Sequence, residues 1–454
     1  MNITDDTMSS IDSGHTAWIL VSCSLVLFMS LPGLALFYSG MVRVTNVLAT
    51  VGQTFAIACI ITLCWLFFGY SLSFGPAEQD TSPEGTTIYG DASRLWLQGM
   101  DPESSHVLAP TIPEVVYCFY QLTFAIITAA LICGSFADRM KFMPMCIFMI
   151  LWHFTVYCPI AHANWHQNGF LFKAGVKDFA GGNVVHIASG ISGLVSTYVV
   201  GNRRGFGKER FEPHNILLTF MGTCMLWVGW MSFNGGSALA ADSRAGFAML
   251  MTHIAASTCT VTWSITEMIY NKTTNPSVLG MVSGAVAGLV CITPACGFVN
   301  ATGAFFIGFF GGPLCFLGCQ LKHFLGYDDA LDAFGVHGIG GIVGGIACGF
   351  FARDIYGLGY DEGVYYAGLK EGGKCLGIQI YGVVVCAGWA AFMSFILLVT
   401  IDRTIGLRVS AEDEDAGLDS SLHGESILPT TKGNGALVDG STSVVSFEID
   451  GKVA

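Results

Sequence analysis

Eleven separate stretches of this sequence are apolar for about 17 residues or more, near 17–41, 50–74, 114–137, 143–162, 180–201, 215–238, 246–269, 277–294, 301–324, 333–352 and 375–401. A helix of that length crosses about 30 Å of hydrocarbon. Lipid offers no partner to an open backbone, so a chain made of such runs folds as a bundle of spanning helices. Composition agrees: 12% of the residues are charged and mean hydropathy is +0.59, where soluble domains carry about a quarter charged residues. The 57 glycines sit inside the apolar runs, where small residues let helices approach closely. Most of the sixteen cysteines lie in the same runs and none forms a CxxC pair. They read as small buried hydrophobes, not as a disulfide or zinc framework.

Eleven spans put the two termini on opposite sides. The N-terminus MNITDDTMSSIDSGH has no Lys or Arg before Arg43; it lacks the basic start of a secretory signal, and the first run is expected to be retained. With the N-terminus outside, the inner connections and tail hold 13 of the 20 basic residues, including the cluster RRGFGKER at 203–210. Basic residues concentrate on the cytoplasmic side, so a multi-pass plasma-membrane protein with N-terminus outside and C-terminus inside is expected. Its parts are an extracellular N-terminus (1–16), a membrane domain (17–401) and a cytoplasmic tail (402–454). From 75 to 114, Glu78, Asp80, Glu84, Asp91, Asp101, Glu103 and Glu114 face only Arg94. This outer connection either concentrates cations at an entrance or is simply a solvated loop. The Ser/Gly-rich acidic tail is expected to be partly disordered.

An internal repeat is the most informative pattern. Asp178-FAGGNVV-His186-IASGISG aligns without gaps on Asp329-ALDAFGV-His337-GIGGIVG. The copies fall on spans five and ten. Five spans per repeat force the second half to run inverted, and inverted repeats often enclose a substrate path at their interface. A ring nitrogen without a partner is costly in an apolar span, and the least expensive solution lets His186 and His337 bond each other. A lone intramembrane histidine is commonly a packing bond; two related by symmetry, each preceded by an acid, point to a pore. Tyr120 and Phe124 on span three, and Phe233 and Ser237 on span six, lie four apart and share a helix face, with Tyr120 and Ser237 nearer the outside. Core packing is the commoner explanation of such aromatics, as interfacial anchoring is of Trp165 in the outer connection after span four.

The run from Asp178 to Gly205 resembles the signature of the Amt/Mep/Rh ammonium transporter family. So do GLALFYSGMVR at 33–43, YQLTFA at 120–125, SFNGGSAL at 232–239 and DDALDAFGVHGIGGIVGG at 328–345, and the start of the tail, 402–426, resembles the family's cytoplasmic region. The likeness spans roughly residues 17 to 426 and favours the Amt/Mep branch. It implies an all-α fold of eleven helices in a five-plus-five inverted repeat, a homotrimer with one pore per subunit, and ammonium as substrate with methylammonium as analogue. Carried over by position, Trp165, Phe124 and Ser237 match the outer recruitment site, with Tyr120 as a further outer contact. Phe124 and Phe233 match a stacked phenyl gate, His186 and His337 the twin histidines, and Asp178 an acid near the recruitment site, with Asp329 its counterpart in the second half.

The resemblance also implies a regulatory tail shared between neighbouring subunits, with Gly406 in that element and Ser421 a candidate switch for a cytoplasmic kinase or other regulator. Two departures stand out: an insertion between Trp165 and Asp178, and Tyr120 where Phe is frequent. No enzyme activity, cofactor, metal or nucleic acid is expected. Two other readings are an ammonium sensor signalling through the tail and a membrane metalloenzyme using the two histidines. The last is disfavoured because zinc takes three or four protein ligands and nothing in sequence near either histidine supplies a third.

Overall fold

The structure, a computed structural model, describes residues 11–75, 85–359 and 361–428, with the backbone of 431–432 and 436–437. Expectations for the first ten residues, for Glu78, Asp80 and Glu84, and for the distal tail lie outside the described residues. Among the described residues are eleven membrane helices: α1 Ser13–Met41, α2 Val44–Phe74, α3 Glu114–Ile132, α4 Phe142–Trp165, α5 Gly182–Val200, α6 Ile216–Gly236, α7 Ser243–Asn271, α8 Val278–Ile292, α9 Ala301–Leu325, α10 Phe334–Phe351 and α11 Val364–Ile405. Ten are long and apolar enough to span alone, and α8 is the shorter one. α11 runs on past residue 401 to Ile405 and is interrupted near its start at Gly368.

Burial sorts the helices into layers. The most apolar windows of α3 and α5 are 83% and 72% buried, whereas that of α11 is 33% buried; α3 and α5 are central and α11 is peripheral. Large apolar side chains such as Phe55, Leu217, Ile269 and Phe392 stand exposed on the outer surface, as lipid-facing residues do. All sixteen cysteines are free thiols and fourteen are buried.

The repeat is visible in the backbone. α5 and α10 both open with a π-helical turn, Gly182–Ile187 and Phe334–Gly338, and each turn contains its histidine. The residue three after each repeat acid has positive φ, Gly181 at 108° and Asp332 at 57°. α5 and α10 cross where a Cβ on Gly190 would run into the backbone of Gly338. No side chain fits there, so glycine sets the distance between the two broken helices.

One face of the bundle is covered by the tail. After α11, Gly406 (φ 71°) reverses the chain, Leu407 accepts a bond from Lys141 N (2.8 Å), and Val409 N donates to Arg139 O (3.1 Å). Short helices α12 (Ala411–Ala416) and α13 (Leu418–His423) follow. The buried Glu414 carboxylate accepts from Arg408 (2.8 Å) and from Arg204 N (2.7 Å), and its carbonyl accepts from Arg43. Asp419 takes Ala49 N, and Asn46 takes Leu418 N. The expectation of a partly disordered acidic tail is corrected for residues 406–428. Glu414 is held by Arg408 beside it and by the distant Arg204 N–H, and Asp415 pairs with the Arg204 side chain (2.9 Å), so composition alone misreads this part of the tail. Orphaning one side of a buried ion pair costs about 3–5 kcal/mol; Glu414→Ala is therefore expected to release the tail, read as faster cleavage of residues 406–428 in limited proteolysis.

Candidate functional site

On the face opposite the tail, a cavity of about 180 Å³ is lined by Gln121, Phe124, Trp165, Phe179, Ser237 and Leu239 among others. Trp165 ends α4, and its Nε1 donates to Asp178 O at 2.8 Å. Its ring meets Phe124 edge-on, with centroids 5.7 Å apart at 90°. Ser237, just past α6, donates to Phe233 O at 2.9 Å, which leaves its oxygen lone pairs available to a guest.

Tyr120 does not line this cavity, and the expectation that it contacts substrate is corrected. It is fully buried, and its hydroxyl lies 3.0 and 2.8 Å from the carbonyls of Ser232 and Phe233 and 3.4 Å from Ser237 Oγ. It braces the end of α6 from behind. Sharing a helix face with Phe124 placed it nearby, but the hydroxyl was drawn to the free carbonyls of a helix terminus.

The cavity floor is closed by Phe124 and Phe233, stacked at 4.1 Å and 23° and both buried. Beneath them the His186 ring lies 6.4 Å from Phe233 and is stacked on Trp230 at 5.4 Å and 14°. His186 Nδ1 and His337 Nδ1 are 3.3 Å apart. That bond needs one donor and one acceptor, so with both rings neutral one carries its proton on Nδ1 and the other on Nε2. The two Nε2 atoms then have opposite character, one accepting and one donating. His186 Nε2 is buried without a protein partner. Trp230 was missed in the sequence; its spacing of three from Phe233, on the same face of α6, was the available signal.

The acids hold this geometry from outside the path. Asp178 is buried and accepts from the backbone N–H groups of Gly181 (3.1 Å), Gly182, Asn183 (2.9 Å) and Val184 (3.2 Å). It therefore caps the broken start of α5, while its carbonyl fixes Trp165. Asp329 does the same for α10 with two donors, Ala333 N (3.2 Å) and Phe334 N (2.7 Å). Beyond His337 a cavity of about 60 Å³ continues toward the tail face, lined by Tyr38, Trp263, Ser283 and Asp332 among others. It shares Met41, Leu279, Leu331 and Asp332 with the wall of a vestibule of about 600 Å³. A cleft of about 200 Å³ lined by Pro159, Val385 and Trp389 lies away from the histidines and has an apolar wall. Gly406 and Ser421 are both in the docked tail, far from this path; Ser421 is half-buried in α13 and its Oγ has no protein partner.

Eleven membrane helices in an inverted repeat, with a buried histidine pair between an aromatic pocket and a tail-side vestibule, define a multi-pass membrane protein with a path through the subunit. Residues 17–427 match the Ammonium Transporter Family, and the chain belongs to that family. It is 41% identical over 406 residues to the ammonium transporter of Bacillus subtilis, covering 89% of this chain and 96% of that relative. The crystal structure of Saccharomyces cerevisiae Mep2 superimposes with a TM-score of 0.81 at 32% identity, over 94% of this chain and 95% of that one. A solved Sensor Amt Protein superimposes at 0.79 with 26% identity, over 89% and 97%.

Asp178→Ala leaves four buried N–H groups without their acceptor, and each orphaned group costs about 1–3 kcal/mol. The variant is expected to melt at lower temperature in detergent than the parent, which thermal scanning measures.

Proposed function

We propose that the protein carries ammonium across the plasma membrane, recruiting it at the Trp165–Phe124–Ser237 pocket and passing ammonia between the phenyl rings and along the two histidines. The N-terminus is outside and the tail is in the cytoplasm, so the aromatic pocket faces out. The observation that carries the reading is the change of chemistry along the path: an aromatic pocket with a hydroxyl acceptor ends at two stacked phenyl rings, below which the histidine pair is the polar lining.

Ammonium and potassium are alike in size and charge, so selection needs directional bonding or deprotonation. Aromatic faces hold a desolvated cation with on the order of 2 kcal/mol, and Ser237 accepts an N–H that potassium lacks. Moving the intact ion through an apolar lumen costs about 3 to over 10 kcal/mol. Removing its proton costs about 1.4 kcal/mol per pH unit, or roughly 3 kcal/mol for a base titrating two units above neutrality. Deprotonation at the gate is the cheaper route. The opposite character of the two Nε2 atoms suits ammonia, which both donates and accepts. It also suits a separate passage of the proton, which would make uptake electrogenic.

The functional unit is a homotrimer with one pore per subunit, and the docked tail is its regulatory element. Gly406 sets the turn into that element, and phosphorylation of Ser421 by a cytoplasmic kinase would place charge beside the acids that hold the tail.

Replacing both His186 and His337 with Ala is expected to abolish selective uptake, and unchanged selectivity for ammonium over potassium would remove the pore role. In liposomes carrying the unmodified protein, ammonium is expected to drive a current that grows with inside-negative potential. Uptake without current would exclude the separate proton path and leave neutral ammonia conduction.

A further inference from the structure

The tail-side end of the path already holds an ammonium group. We propose that Lys322 is a tethered ammonium that fills a cation cup at the inner mouth and so prevents free ammonium from being retained there. This rests on the ammonium reading above. The Lys322 Nζ is a primary ammonium with three N–H donors, chemically close to methylammonium. It donates to Asp332 Oδ1 at 2.6 Å and to Asp329 O at 3.2 Å, a carboxylate and a carbonyl converging on one small cation.

The cup stands where the lumen widens. The narrow cavity containing His337 and the broad vestibule share Met41, Leu279, Leu331 and Asp332, and Lys322 lines the vestibule. Asp332 therefore stands at the boundary between the cavity beside His337 and the vestibule. Its side chain is 35% exposed and that of Lys322 is 14% exposed, so the site is partly shielded from water.

The repeat shows that the carboxylate is not required by the backbone. Asp332 occupies the position that Gly181 takes in the first half, and both have positive φ. Glycine adopts that conformation freely, whereas a side chain there carries strain that aspartate tolerates better than most. The first half leaves the position bare at its entrance; the second places an acid there and neutralises it with Lys322. The two mouths are thus made unequal. The outer pocket presents open aromatic faces to a cation, while the inner carboxylate is occupied by a cation that cannot leave. Ammonium arriving at the inner mouth finds this acceptor pair occupied, and product accumulating inside is not held at it.

The test separates this from a plain helix-end contact. Trp165→Leu weakens the outer site, and methylammonium binding is then titrated calorimetrically in detergent. Adding Lys322→Ala, or Lys322→Met to keep the stem, is expected to create a saturable methylammonium site, and further addition of Asp332→Asn is expected to remove it. In proteoliposomes Lys322→Met alone is expected to make influx sensitive to methylammonium loaded inside at about tenfold lower concentration than in the parent. If both Lys322 variants elute and melt as folded protein yet gain no site, the inference is overturned while transport by the unmodified protein stands. A site that persists with Asp332→Asn also overturns it. If the unmodified protein moves no methylammonium, the transport reading falls independently of the binding result.

Discussion

In hydrocarbon a backbone N–H without a partner costs several kcal/mol, yet α5 and α10 both begin inside the bundle. Each break exposes donors that no preceding turn can satisfy. A buried carboxylate meets them: Asp178 takes four N–H groups and Asp329 takes two. The rest of the site hangs on these caps. The first directs α5 so that His186 faces His337, and the carbonyl of the same residue holds the Trp165 indole. One residue thereby couples the outer pocket to the pore lining without touching either cavity.

The path is a sequence of environments, each of which determines what can follow it. An aromatic pocket with a hydroxyl comes first; two phenyl rings stacked at 4.1 Å lie below it; a histidine pair joined by one hydrogen bond follows. The order matters more than any one contact, because a cation stabilised at the mouth still meets the desolvation cost below it. At the far end Asp332 and Lys322 restore charge as a closed pair, which makes the two ends chemically unlike despite their symmetric backbones.

The tail face is knit by charges that belong to separate connections. Arg203 bridges Asp328 and Asp138, Arg139 donates to carbonyls of Gly201 and Asp328, and Glu414 brings in Arg408 and Arg204 from above. The connections leading into α4, α6 and α10 are thus tied to one another and to the tail. Two of these connections lead into α6 and α10, the helices that carry Phe233 and His337.

Much of this was legible in the chain itself because it depends on period and spacing. Apolar run length decides a helix that spans lipid; an acid eight residues before a histidine, twice, decides an inverted pair; a polar ring in an apolar span must find a partner, and the nearest equivalent is its own symmetry mate. What was not legible depends on which atoms meet across distant segments. Tyr120 has the spacing of a pocket residue but turns its hydroxyl to helix-end carbonyls. Trp230 and Phe179 are ordinary apolar residues until the fold sets them against His186 and the outer cavity. The acidic tail reads as solvated because, apart from Arg408, the groups that hold it lie some 200 or more residues away, Arg204 on Glu414 and Asp415 and Arg43 on the Glu414 carbonyl. Period and composition specify what each segment is; only the tertiary structure decides which buried polar groups satisfy one another, because that choice is made by proximity and not by sequence distance.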